Sequence, residues 1–297
     1  SDVGQGDATL LEFENGAVLI DTGAQDSYYV EYLVSYLSSF FIRRSDLCNT
    51  LESIFITHDH PDHTKGLEEI IKEFKVKRLI HNGKTTQKDT GELARVIKSR
   101  DKYGLQIEGV TYERVIATGN KHGITDSIID PIDCGDYNPS IVVLSGGFVK
   151  NSGWSIRDYS NKNNHSLVIR IDFGEASFLL TGDLEEKAIE NILKYYNSAS
   201  NAQETILDVD FLRVGHHGSY NATTPELLNA ATPELAIISV GKWNYGKDRS
   251  GQFTTYAYGH PRKGTVDLLS VAIKGYRSKP IDVRLATGAR SYISGKV

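Results

Sequence analysis

The chain has 297 residues, 39% of them apolar, and carries 33 basic against 38 acidic side chains for a formal charge of −5. This is the composition of a soluble globular protein with one large core or two small ones, and its acidic balance excludes a protein that coats nucleic acid through overall charge. No run approaches the roughly 18 apolar residues of a membrane span, no charged-then-apolar leader opens the chain, and the distant Cys48 and Cys134 make neither a disulfide framework nor a CxxC site, leaving the compartment open.

The chain opens on SDVGQGD, which reads like the end of a strand, and it contains no methionine even at position 1, so motifs within ten residues weigh more than long spacings. GQGD holds a Gly-x-Gly but lacks the third glycine of a dinucleotide loop, which favours a tight turn. DATLLEF, NGAVLIDTG, LESIFITH and VKRLIHNG alternate as strands do, and EYLVSYLSSFF and KGLEEIIKEF have helical spacing. The apolar stripe of the first helix suits packing on a sheet better than contact with a membrane. After a helix near 91–102, the stretch 103–164 is rich in Gly, Asn, Asp and Ser and reads as irregular. A second half follows: two strands in HSLVIRIDFGEASFLLTGD, a helix in LEEKAIENILKYY, a strand in VDFLRVGHHGS, a helix in TPELLNAA and a strand in ELAIISVG. TVDLLSVAIKGY reads as a helix and DVRLATGARSYI as a hairpin. With no short-period repeat and no low-complexity linker, the expectation is a single domain over 1–297, built from halves of about 1–150 and 160–297.

HDHPDH places His58, His60, Asp62 and His63 on one turn between an apolar strand and a helix. Imidazole and carboxylate are the donors that zinc and manganese accept, and such a turn can aim all four inward. Further polar groups arrive at strand ends: Asp183 in FLLTGD, then His216 and His217 in VGHHGS. Taken alone, Asp183 with Glu186 three residues on also fits a helix cap, and the two histidines fit a loop that binds backbone.

HDHPDH, TGD and GHHGS in this order, preceded by DVGQGDATLLEFENGAVLIDTG, resemble the metallo-β-lactamase fold superfamily. With NNHSLVIR at 163–170 and YGHP at 258–261, the nearest branch is the metallo-hydrolase domain of ComEC-type competence proteins of DNA uptake; the membrane channel of those proteins has no counterpart here. The resemblance spans nearly the whole chain, except about 84–160, and implies an α/β fold, the four-layer αβ/βα sandwich. It implies two divalent ions, Zn2+ or Mn2+: His58 and His60 on the first, Asp62 and His63 on the second, Asp183 between them, and His216 completing the second. His217 then either supports a ligand from behind or faces the substrate as a catalytic group. Asp21 and Asp7 are the outer carboxylates that orient a histidine, or else strand-end turn residues. Many relatives add a histidine to the first ion from a loop before the TGD strand, where this chain offers only His165.

Such a site implies hydrolysis by a metal-bound hydroxide oriented by Asp62, and phosphodiesters, lactones and β-lactams are all served by the fold. Between 242 and 263, five cations (Lys242, Lys247, Arg249, Arg262, Lys263) face the single acid Asp248, interleaved with Trp243, Tyr245, Phe253, Tyr256 and Tyr258. That pattern suits a phosphate backbone with stacked bases, so Lys242, Trp243, Tyr245, Arg249, Tyr258 and His260 are expected to contact substrate, with His260 also placed to protonate a leaving group. DNA is the expected substrate and a nuclease or phosphodiesterase the expected activity. The alternatives are a hydrolase of small esters, lactones or β-lactams, and a nucleic-acid-binding module whose metal site has degenerated.

Overall fold

Strand alternation divides the apolar residues of this chain between three layers of core. The computed structural model describes residues 3–85, 89–197, 206–241, 259–273, 282–288 and 291–296. The first sheet has the order β1 (Thr9–Phe13), β2 (Gly16–Ile20), β4 (Ser53–Ile56), β6 (Arg78–His81), β7 (Gln106–Gly109), with β3 (Thr50–Leu51) and β5 (Lys75–Val76) as a short parallel pair beside it. β1 and β2 form an antiparallel hairpin, and β2, β4, β6 and β7 run parallel. The second sheet has the order β12 (Leu235–Ile237), β11 (Phe211–Arg213), β10 (Ala176–Leu180), β9 (Val168–Phe173), β8 (Ser140–Ser145). Here β10, β11 and β12 are parallel, and β8 and β9 antiparallel.

Along β2 and β4, Leu19, Ile54 and Ile56 point to one face and pack with Leu33, Leu37 and Phe40 of the helix Ser27–Arg43. Val18, Ile20 and Phe55 point to the other and meet Ile141, Val143, Ile169 and Leu180 of the second sheet. On the far side of that sheet, Val142, Leu144, Val168 and Leu179 pack under Ile189 and Ile192 of the helix Glu186–Tyr196. The result is helix, sheet, sheet, helix: the four-layer sandwich. Each large side chain buried in these layers contributes roughly 1.5–3 kcal/mol, so the sheet-on-sheet layer is a true core and not a loose contact.

The helix expected from residue 31 starts at Ser27, where Asp26 accepts a hydrogen bond from the Tyr29 amide at 3.3 Å. The stretch 103–164 is more ordered than its composition suggests, containing β7, the helix Tyr112–Ala117 and β8. IVVLS is a continuous apolar run because β8 is buried on both faces, which removes the alternation that marks a strand. A hairpin of β13 (Asp282–Gly288) and β14 (Ser291–Lys296) is present as expected. Among the described residues, no helix is long and apolar enough to cross a membrane.

Candidate metal centre

Four segments converge at the carboxyl ends of parallel strands, where open α/β sheets place their ligands. They follow β2 (Asp21), β4 (Thr57 to His63), β10 (Thr181 to Asp183) and β11 (Gly215 to His217). The turn after β4 is shaped by Pro61, the first residue of the helix Pro61–Thr64, which carries Asp62 and His63. Gly23 lets the β2 loop lie directly on that turn, since a Cβ there would fall 1.5 Å from the Asp62 carbonyl oxygen. Asp7 joins the same junction: its amide donates to the Asp62 carbonyl at 2.9 Å and its carbonyl accepts from Gly23 at 2.8 Å.

Asp183 is the centre of the cluster. It is buried, its amide donates to the Ser166 hydroxyl oxygen at 3.1 Å, and its Oδ2 lies 3.2 Å from His63 Nε2, 3.8 Å from His216 Nε2, 3.9 Å from His58 Nε2 and 4.0 Å from His217 Nε2. It is not a helix cap, for that position belongs to Glu185. Burial would raise the Asp183 carboxyl, but the surrounding imidazoles, His63 foremost, hold it well below the usual carboxylate range.

The neighbours are oriented from behind. Asp21 accepts from the Thr57 amide, the Thr57 hydroxyl and His63 Nδ1, each at 2.8 Å. Thr57 Oγ1, having given its proton to Asp21, accepts from His58 Nδ1 at 3.2 Å. Both His58 and His63 therefore keep Nε2 for the cluster. His217 does the same by donating Nδ1–H to the Ser239 carbonyl at 2.9 Å, with Nε2 3.5 Å from Asp62 Oδ2. Asp7 is paired with Arg213, a charged residue on a buried strand that joins the two halves behind Asp21.

Charge follows this arrangement. Burial keeps His58 and His60 neutral, pushing both below the ordinary histidine value. Against burial, Asp183 and Asp21 raise His63, and Asp183 and Asp62 raise His217. Asp62, despite burial, is held far down by the nearby imidazoles of His217, 3.5 Å away, and His63.

The residues fit a divalent metal. Asp183 Oδ1, His63 Nε2 and His217 Nε2 are buried without a hydrogen-bond partner, a costly state that a cation relieves. One atom each of Asp62, His63, Asp183 and His217 lies within 4.8 Å of the others. His58 Nε2 and His60 Nδ1 lie 2.9 Å apart, close to the roughly 3.3 Å edge of a tetrahedron with zinc–nitrogen bond lengths.

Three expectations need correction. The group of Asp62, His63 and Asp183 is closed by His217 and not by His216, whose Nε2 reaches Asp183 while its Nδ1 lies 3.6 Å from Glu185 Oε1. His165 is absent from the cluster: its Nδ1 accepts from the Phe148 amide at 3.0 Å and its Nε2 donates to the Tyr159 carbonyl at 2.7 Å, among Phe148, Trp154 and Tyr159. His260 stands 5.3 Å from His216 between ring centres, and burial, with His216 and His217 nearby, pushes it down to about 3, which favours the neutral ring over the imidazolium a general acid needs.

Lys242, Trp243, Tyr245, Arg249 and Tyr258 lie outside the described residues. Arg262 sits over the Tyr220 ring at 5.8 Å, and Lys263 pairs with Asp267 along its helix. Lys162, not anticipated from sequence, donates to the Asp59 carbonyl at 2.8 Å and its Oδ2 at 3.1 Å, placing a half-exposed cation beside His60. Arg213, Thr57 and Glu185 were also missed; of these only Arg213, a cation inside an apolar strand, leaves a local signal.

The chain is 27% identical over 286 residues to ComE operon protein 3 of Bacillus subtilis (strain 168), covering 90% of this chain and 30% of that protein. It is 28% identical over 246 residues to Recombination protein 2 of Haemophilus influenzae, covering 82% of this chain and 24% of that one. It thus spans less than a third of either relative. Among solved structures, CmlA, a diiron beta-hydroxylase from Streptomyces venezuelae, aligns over 92% of this chain and 50% of its own, with a TM-score of 0.45 at 13% identity. The pattern of the metallo-beta-lactamase superfamily covers residues 1–242, both sheets and all four convergent segments included, and the chain belongs to that superfamily.

Proposed function

We propose that this chain is a metal-dependent phosphodiesterase that hydrolyses DNA. The observation that carries the reading is the meeting of four imidazole Nε2 atoms within 4.0 Å of one Asp183 carboxylate oxygen, which together with Asp183 itself, His60 and Asp62 makes a donor set larger than one four-coordinate ion takes. His58, His60 and Asp183 hold a first ion, Zn2+ or Mn2+; Asp62, His63, His217 and Asp183 hold a second. When bound, such a pair lowers the pKa of water and offsets the charge that develops on a phosphate.

The protein's own part is orientation. Asp21 and the Ser239 carbonyl fix the tautomers of His63 and His217, so that neither ring must turn during the reaction. Asp62, ionised throughout the neutral range, accepts a hydrogen bond from the attacking water and aims it. His260, neutral, offers an N–H to a phosphate oxygen, and Lys162 adds positive charge at the mouth. DNA is favoured by the basic and aromatic residues of 242–263, with Lys242, Trp243, Tyr245, Arg249 and Tyr258 as its contacts, and by a relative named for recombination.

The test is cleavage of end-labelled single-stranded and duplex DNA by metal-stripped protein reloaded with Zn2+ or Mn2+, beside His60→Ala. Metal-dependent cutting that the variant lacks is the expected result. Protein holding two ions that cuts neither form overturns the DNA reading and points to small phosphodiesters, esters or lactams.

A further inference from the structure

The GQGD turn at residues 4–7 has no part in the donor set, and the Nδ1 proton of His63 goes to Asp21, so Asp7 has another task. We infer that this turn gauges the spacing between the two halves of the metal centre, and that Arg213, by pairing with Asp7 across the sheets, is the positioning residue that sets it. The inference rests on the two-ion reading above.

Arg213 stands where the strand pattern calls for an apolar side chain. Leu212 and Val214 pack in the layer of Ile189 and Ile192, so Arg213 points the other way, between the sheets, in register with Leu180 on one side and Ile237 on the other. Its side chain is 10% exposed, and a charge so placed costs desolvation unless a partner meets it. The partner is Asp7, in the turn that leads into β1 of the first sheet. Asp7, Asp21 and His63 each offer an atom within 4.8 Å of the other two, so Arg213 also brings positive charge to a place where two buried carboxylates stand together.

The turn that Arg213 grips is fitted between the loops that carry the ligands. Asp7 is bonded through its amide to the Asp62 carbonyl and through its carbonyl to the Gly23 amide, so its position is passed both to the HDHPDH turn and to the loop of Asp21. In that loop the Gln25 side chain accepts from the Gln5 amide at 3.2 Å, and the Gln25 amide donates to the Val3 carbonyl at 3.1 Å. Space is closed on both sides: a Cβ on Gly6 would lie 2.8 Å from Ala24 Cα, and one on Gly241, beyond β12 of the second sheet, would collide with the Gly4 carbonyl carbon. His217 follows Arg213 closely, on the loop after β11. The second ion takes Asp62 and His63 from the first sheet and Asp183 and His217 from the second, so its donors converge at only one separation of the sheets, and the Asp7–Arg213 pair spans that separation beside them.

Equilibrium dialysis of the metal-free chain against Zn2+, with the visible spectrum of the Co2+-loaded chain reporting donor geometry, tests this in the wild type, Arg213→Lys, Arg213→Met and the double variant Asp7→Asn with Arg213→Met. Arg213→Met is expected to weaken the second ion roughly 10–100-fold and to alter the Co2+ bands, and Arg213→Lys, which keeps the charge, to recover most of that affinity. The double variant leaves no charge of the pair buried alone, so its urea midpoint returns toward wild type while its metal affinity does not. The loss persists when His60→Ala has removed the first ion. Wild-type affinity and spectrum in Arg213→Met, a lysine variant as weak as the methionine one, affinity that recovers together with stability in the double variant, or a loss confined to the first ion overturns the inference and leaves the two-ion reading standing. A wild type that saturates at fewer than two ions overturns that reading, and the inference with it. If Arg213→Met alone does not fold, the double variant and Arg213→Lys carry the comparison.

Discussion

Asp21 accepts the Nδ1 proton of His63 at 2.8 Å, and the opposite nitrogen of the same ring lies 3.2 Å from Asp183. Asp21→Asn tests this relation cleanly, because Asn tolerates the left-handed backbone at φ 58° and preserves the shape of the side chain. Metal affinity should fall roughly 10–100-fold with the fold intact. Dialysis against Zn2+ measures it; an unchanged affinity would mean that Asp21 is only a turn residue.

Metal uptake should release protons. In the metal-free protein His63 and His217 are raised by the carboxylates around them, so near neutral pH each retains a proton on the nitrogen a metal needs. Lowering the pH keeps those protons in place and weakens binding; raising it through their elevated values strengthens binding. Calorimetry in two buffers of different ionisation enthalpy reads the protons directly. Affinity that is flat between about pH 6 and 8 contradicts the charge arrangement.

His165→Ala should cost stability and spare metal. Two backbone partners are left unsatisfied in a buried aromatic box, a loss of roughly 2–4 kcal/mol. Urea unfolding gives the loss, and the number of ions bound stays as in the wild type. Loss of an ion at unchanged stability would restore His165 to the centre.

Gly23→Ala should damage both. A methyl cannot occupy space 1.5 Å from the Asp62 carbonyl, so the β2 loop and the metal turn must part, at about 3 kcal/mol. The unfolding midpoint and metal affinity are expected to fall together, whereas a variant of normal stability would show that the two loops are not in register.

For His260, the comparison of two variants decides between roles. On the proposed DNA hydrolysis a neutral His260 would serve as a hydrogen-bond donor, a task glutamine can share, so His260→Gln should cut within about tenfold of wild type while His260→Ala falls further. A loss of 10²–10⁴ in both, roughly what a general acid contributes, would mean that it does donate a proton.

The parts legible in the sequence are those whose information is local. Residues 58–63 hold four candidate ligands within six positions, and TGD and GHHGS stand at strand ends, so the convergence on Asp183 was foreseeable. The choice between His216 and His217 was not, because it depends on two left-handed backbone angles that no side chain advertises. His165 misled for a related reason: its position before β9 is visible, the direction of its ring is not. Glu185, Asn163 and Arg213 act through partners 22 to 206 positions away, such as Glu185 for Asn163 and Asp7 for Arg213, and are silent until the chain is folded. β8 escaped notice because burial on both faces erased its alternation.

The Asp183 turn lies in one sheet and the HDHPDH turn in the other, and this has a bearing on how the chain is made. During synthesis the first half emerges with His58, His60, Asp62 and His63 on a turn that has nothing to close against. The cluster comes into being only when residues as late as His217 have left the ribosome and the second sheet has docked on the first. A chain cut short before the second sheet carries only half of the donor set and lacks the buried carboxylate that gathers the imidazoles.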